Sequence, residues 1–210
     1  VNFDEAVGGL ARGRPVVMYD ADGREGEADI VLHASFATPG SIAMLRKDAG
    51  GLICLATDAR IAEEIGLPFM TDVLANYGRL KDFTYARTAY GDSPAFSISI
   101  NHVNARTGVT DNDRALTART FAEIVAAGDG IRDAFAKNFR SPGHLHLLVG
   151  RELEVRRGHT ELALELALRA GLAPAVLLCE MLGEGKALAK KEARKYAETH
   201  RMAFIEGDSI

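Results

Sequence analysis

Short apolar runs alternate with charged stretches along the 210-residue chain. PVVMY (15–19), DIVLHA (29–34), GLICLA (51–56) and AVLLCEML (175–182) have the length of buried strands. AFSISINH (95–102) alternates apolar and polar positions, as a half-buried strand does. SPGHLHLLVG (141–150) predicts a turn and then a strand, with His144 and His146 on one face because strand side chains repeat every two residues. Helices are predicted over 40–49, ending at Gly50 and Gly51, and over 58–65, stopped by Gly66 and Pro68. A third covers 113–127, with Thr110 and Asp113 as its capping box. A fourth runs from Thr160 to Ala170 and is closed by Gly171. Residues 186–198 give a surface helix of mixed charge. Residues 70–94 are turn-rich and polar and yield no element. Strands and helices mix throughout, so residues 1–210 read as one layered α/β or α+β domain, without repeat or linker.

The net charge of −4 gives no reason to expect nucleic acid or an anionic membrane as partner. No apolar run is long enough to span a bilayer, and no charged start precedes an apolar signal segment. The two cysteines, Cys54 and Cys179, sit in separate apolar runs, which suits free thiols in a reducing compartment, the cytoplasm. They are too few for a thiolate zinc cluster.

Against this background DADGREGEAD (20–29) stands out. Asp20, Asp22, Glu25, Glu27 and Asp29 crowd around one cation, Arg24, between two core strands. A solvated turn is one reading. The other is a ligand site, because like charges held this close repel unless a cation relieves them. A helix–loop–helix calcium site does not fit, since Arg24 and Glu25 stand where that pattern needs Asp or Asn and then Gly. A hard divalent ion, Mg²⁺ or Mn²⁺, fits, because it takes few protein carboxylates and completes its shell with substrate and water.

RRGHT (156–160) places His159 at a helix start, beside Arg156, Arg157, Gly158 and Thr160. Free N–H groups there suit a phosphate, although a histidine near a cap is also commonly structural. His144 has the pKa range of a general acid or base, or is simply a surface side chain. Glu180 ends a buried strand, a costly position for a carboxylate without partner or function. His33, His102 and His200 read as structural and His146 as supporting. GEGKA (183–187) lacks the spacing of a nucleotide loop, no GxSxG elbow occurs, and no aromatic-rich basic patch suggests RNA or DNA.

DADGREGEAD, TGVTDNDR (107–114), RSPGHLHLL, RRGHTE and AVLLCEM, in this order over most of the chain, resemble the 3,4-dihydroxy-2-butanone 4-phosphate synthase family of riboflavin biosynthesis. REGEAD and HLHLL look like its archaeal-type, stand-alone form. The resemblance implies a three-layer α/β/α sandwich with a mixed sheet and a homodimer with active sites at the interface. It also implies Mg²⁺ or Mn²⁺ as cofactor. Ribulose 5-phosphate is the implied substrate, giving L-3,4-dihydroxybutan-2-one 4-phosphate and formate. Glu25 and His159 match the family's metal ligands. Arg24, Glu27, Asp29 and Asp20 match substrate-site residues. Arg156 and Thr160, within 156–160 (Arg157, Gly158 and His159 included), match phosphate-binding positions together with Thr107 and Thr110. His144 and Glu180 match essential catalytic residues, and Cys54 a site-lining cysteine. Gly26 and Ala28 stand where other branches carry Asn and Gly, and Arg157 where others carry a second glycine; no functional side chain is lost.

Chemically, proton removal at C3 of a ketose phosphate needs a polarised C2 carbonyl, a base and then an acid. Crowded carboxylates of unequal pKa provide such groups. The alternatives are a metal-dependent sugar-phosphate isomerase or aldolase, a metabolite-binding module, and a structural protein with a charged loop.

Overall fold

The computed structural model describes residues 3–84 and 88–210. Its elements run α1 (Phe3–Ala11), β1 (Val16–Tyr19), β2 (Ala28–His33), α2 (Pro39–Met44), β3 (Cys54–Thr57), α3 (Ala59–Ile65), α4 (Met70–Asn76), β4 (Phe96–His102), α5 (Asp111–Ala127), α6 (Ile131–Asn138), β5 (Phe139–Val149), α7 (His159–Arg169), β6 (Val176–Glu180), α8 (Lys190–Thr199) and β7 (Ala203–Glu206). Among the described residues the strands form one sheet in the order β4-β5-β3-β6-β2-β1-β7. The β1–β7 and β3–β5 pairs are parallel and the others antiparallel, so the sheet is mixed.

Period-two alternation divides the strand side chains between two cores. Val17, Tyr19, Ile30, Leu55, Leu177 and Cys179 pack with residues of α2, α3, α5, α6 and α8. Val16, Met18, Val31, Cys54, Ala56 and Leu178 pack with α1 and α7 on the opposite face. The result is the expected three-layer α/β/α sandwich. The central strands are buried on both faces, which is why VVMY and VLLC read as continuous apolar runs.

Several expected boundaries shift for local reasons. The helix over 40–49 is α2 followed by a π turn, Leu45–Ala49, ending at Gly50 in the left-handed region. Residues 51–52 leave the predicted strand because their backbone N–H groups go to Glu180, to its carbonyl at 3.0 Å from Gly51 and its Oε2 at 2.8 Å from Leu52. The Ser-Pro-Gly turn is an excursion inside β5. Asn101 faces Arg140 while its neighbour Ile100 faces Leu145, so residues 141–144 loop out between two paired stretches. Thr110 caps α5 by accepting from Asp113 N at 3.2 Å, but the reciprocal half of the box is absent. The Asp113 carboxylate instead accepts the backbone N–H groups of Arg106, Thr107 and Gly108. The predicted helix over 186–198 begins only at Lys190. Gly183 N donates to Lys186 O and Leu188 N to Met181 O, and these bonds hold 186–188 in an extended pairing. Elements α1, α4, α6 and β7 were not predicted.

Candidate active site

The end of β1, the start of β2, the start of β3 and the end of β6 meet at one edge of the sheet, because neighbouring strands there are mostly antiparallel. In register, Asp29 faces Met18 on one side and Glu180 on the other. Asp29 lies two residues before Val31, and Glu180 two after Leu178. Both therefore face the α7 side of the sheet, beneath the first turn of that helix.

The acidic loop closes on itself through Asp20, whose side chain is fully buried. Asp20 Oδ2 accepts from Glu25 N and Oδ1 from Glu27 N, both at 3.0 Å. Arg24 then sits among carboxylates: Nη1 is 3.1 Å from Asp20 and 3.0 Å from Glu25. Its Nε and Nη2 donate to Asp92 Oδ2 at 2.9 and 2.6 Å, and its guanidinium stacks 4.7 Å above the Tyr90 ring. Tyr90 in turn donates to Glu25. Neither Tyr90 nor Asp92 was expected in the site, since both fall in the polar stretch that yielded no element.

His159 is the first residue of α7 and is buried. Its Nδ1 lies 3.2 Å from Glu25 Oε2, and its Nε2 is 3.1 Å from Glu27 O and 3.6 Å from Asp29 Oδ1. The helix start is fixed by Glu161. That carboxylate accepts from Gly158 N and Arg151 N, both at 3.1 Å, and pairs with Arg156. Glu25, Asp29, Cys54, Tyr90, Arg156, His159, Thr160 and Glu180 line a shared cavity of about 160 Å³.

The electrostatics separate these groups. Burial opposes the charge on Glu25, yet the hydrogen bonds from His159 and Tyr90 and the charges of His159 and Arg24 outweigh it and hold its pKa down to about 2. Asp29 goes the other way: burial, with Glu180, Glu25 and Glu27 nearby, raises it despite His159. Burial disfavours charge on His159, but Asp29, Glu25 and Asp20 raise its pKa. Burial raises Glu27, with Glu25 adding to the effect. Burial, Glu180 and Asp29 also keep the Cys54 thiol protonated. One ligand atom from each of Asp20, Glu25 and His159 lies within 4.8 Å of the others. Asp29 Oδ1 is buried beside them without a hydrogen-bond partner. The two carboxylate oxygens suit Mg²⁺ or Mn²⁺, and the imidazole nitrogen is a softer third donor.

Other candidates lie elsewhere. Arg157 is exposed, donates to Gly207 O at 3.2 Å and lines a separate groove of about 920 Å³ along α7. Thr107 and Thr110 belong to the Asp113-centred turn before α5. His144 is exposed on the β5 excursion. Asn101 Oδ1 accepts its backbone N–H at 2.8 Å, and Asn101 Nδ2 donates to its ring Nδ1 at 3.2 Å. None of these four lines the cavity.

The sequence model of the 3,4-dihydroxy-2-butanone 4-phosphate synthase family matches residues 4–210. The chain is 43% identical to the 3,4-dihydroxy-2-butanone 4-phosphate synthase of Archaeoglobus fulgidus, covering all of this chain and 92% of that protein. It is 39% identical to the enzyme of the same name from Methanothermobacter thermautotrophicus, covering all of this chain and 94% of the relative. A crystal structure of a 3,4-dihydroxy-2-butanone 4-phosphate synthase in complex with two magnesium ions superposes with a TM-score of 0.79 at 25% identity, over all of this chain and 94% of that one.

Proposed function

The chain belongs to the 3,4-dihydroxy-2-butanone 4-phosphate synthase family, and on that premise we propose how its residues convert D-ribulose 5-phosphate to L-3,4-dihydroxybutan-2-one 4-phosphate and formate, a step of riboflavin biosynthesis. The observation that carries the assignment of roles is the meeting of Glu25 and His159 with Asp29 and Glu180 in one cavity, with Asp20 close against the first two. Glu25 and His159, with Asp20 beside them, would hold a divalent ion, Mg²⁺ or Mn²⁺. When bound, that ion polarises the substrate carbonyl.

The residues divide the remaining work by environment. Asp29, with its raised pKa and an unpartnered oxygen, exchanges protons with the substrate, and Glu180 opposite it in register serves a second position. Glu27 shares their field: its charge raises Asp29, and that of Glu180 raises Glu27 in turn. Cys54 lines the wall as a neutral thiol. Arg156, Gly158 and Thr160 form the phosphate position at the start of α7, and Arg24 orients Glu25. Atoms balance without an outside oxidant: five carbons leave as four in the product and one in formate.

His144, Thr107 and Thr110 enter through a second copy of the chain, in a homodimer whose interface carries the sites. The exposed apolar side chains Val103 and Val109, flanking Thr107, support that placement. We assign the enzyme, as one synthase domain over 1–210, to the cytoplasm, in keeping with its two free thiols. Among the described residues no helix is long and apolar enough to cross a membrane.

Purified protein with ribulose 5-phosphate and Mg²⁺ is expected to release one formate per sugar consumed, with turnover stopped by EDTA and restored by metal. Glu25→Gln is expected to lose that metal-dependent turnover while remaining folded. Sugar loss without formate would instead indicate isomerase or aldolase chemistry.

A further inference from the structure

Besides Glu25, the assigned metal ligand, three carboxylates pair with the guanidinium groups of Arg24 and Arg156, and they are not equivalent. Asp20 is fully buried and accepts two backbone N–H groups. Glu161 is also fully buried and accepts two. Removing either would strand backbone donors, which is costly inside a protein. Asp92 differs. Its side chain is 24% exposed, and its described hydrogen bonds come from a side chain, the Nε and Nη2 of Arg24. It is carried on a tight turn in which Gly91 N donates to Thr88 O, Thr88 N to Asp92 O and Asp92 N to Thr88 Oγ1. These bonds lie within the turn and survive if the turn moves as a unit.

Arg156 supplies the second observation. It is 8% exposed, and its Nε is buried without a hydrogen bond. The Asp92 Oδ2 that faces this Nε stops 3.6 Å away, close enough for attraction but too far for a bond. The same oxygen already accepts twice from Arg24. A carboxylate at this position therefore satisfies one guanidinium and leaves the other short. A phosphate monoester, with three terminal oxygens spread tetrahedrally, can accept from the Arg24 fork and from Arg156 Nε together. The first turn of α7 and Thr160 lie beside it.

We propose that Asp92 is a built-in occupant of the anion position between Arg24 and Arg156, and that a phosphate group binds there by displacing it. This rests on the assignment of the phosphate position to Arg156 and Thr160. Asp92 then acts as a specificity residue. An unphosphorylated sugar has nothing to offer the two arginines in exchange and leaves the ion pair in place. A phosphorylated one replaces it and completes the unmade bond on Arg156.

The test is calorimetric titration of inorganic phosphate into the full chain with Mg²⁺ present, comparing wild type, Asp92→Asn and Glu152→Gln. The last removes one negative charge from the exposed neighbouring loop and controls for net charge. Asp92→Asn is expected to bind phosphate about fivefold more tightly than wild type, with Glu152→Gln close to wild type. KM for ribulose 5-phosphate is expected to fall in Asp92→Asn in the same ratio. Phosphate binding that Asp92→Asn weakens or leaves unchanged overturns the inference, since Asp92 would then serve only to hold Arg24. An equal gain in both variants overturns it too, as a general charge effect. If phosphate binds none of the three proteins, the phosphate position itself is misassigned and the inference falls with it.

Discussion

Arg24 touches Asp20, Glu25 and Asp92 at once, and each contact is short enough to count as an ion pair. A single guanidinium can do this because its five donors point in fixed, divergent directions. It relieves two of the five acidic side chains of the loop, Asp20 and Glu25, while Asp22 is met by Tyr19 and Lys190 and Asp29 by His159. Gly51 is the other residue on which the site's geometry depends. A Cβ there would collide with Glu180 Oε2 and lie 2.6 Å from Glu180 O. Gly51→Ala is therefore expected to push Glu180 out of line and cut formate production on the order of tenfold or more. Circular dichroism should remain that of a folded chain, and full activity would show that Glu180 tolerates displacement. Most residues legible in advance cluster locally, Arg24 with Glu25 and His159 with Arg156, while Glu180 stood out alone as a carboxylate ending an apolar strand. Tyr90 and Asp92 were not. They reach Arg24 from 66 and 68 positions away, out of a stretch whose polar pattern has no period.

At the scale of elements, the starts of α5 and α7 are both set by carboxylates that hold backbone donors rather than by apolar contacts. Asp113 gathers the N–H groups of residues 106–108, and Glu161 those of Gly158 and Arg151. Thr110 is the side-chain cap of α5. Thr110→Ala is expected to lower the unfolding free energy by about 1 kcal/mol in urea titration, and Thr110→Ser to retain most of it. No difference between the two would mean that the Asp113 turn alone fixes the helix start. Helix α7 was legible because LALELAL buries most of its length and Gly171 follows it. Helix α4 was not, because its seven residues give only one short apolar stripe, Met70, Val73 and Leu74, too brief to show a period, and none of them is buried. Strand β7 is only four residues long and β1 pairs it in parallel across nearly the whole chain, so no local turn announces it.

At the scale of the molecule, the sheet is where the sequence was most readable, since six of its seven strands were predicted from apolar runs, alternation or the stretch after the Ser-Pro-Gly turn. Their order was not readable, because it depends on pairings between distant segments. Buried histidines couple this fold to pH. His33, at the end of β2, is 3% exposed, and its Nε2 lies 2.8 Å from Ala173 O. Burial lowers its pKa, partly offset by that carbonyl. The folded state thus binds this proton less readily than the unfolded state, and its contribution to stability is lost as pH falls below the ordinary histidine value of about 6.5. His33→Gln is expected to cost ~1 kcal/mol near neutral pH and above. Its deficit against wild type should shrink toward about pH 5.5 in urea midpoints. A constant deficit would mean that His33 is not held neutral by the fold.

The buried carboxylate of Asp20 has one more effect. Because it ties down the peptide groups of Glu25 and Glu27, the backbone entropy of the acidic loop is given up when the chain folds, not when an ion arrives. With Glu25 and His159 as the proposed ligands, capture of a cation would require that water be shed and the Glu25–His159 contact open, without a search of the loop for its binding shape.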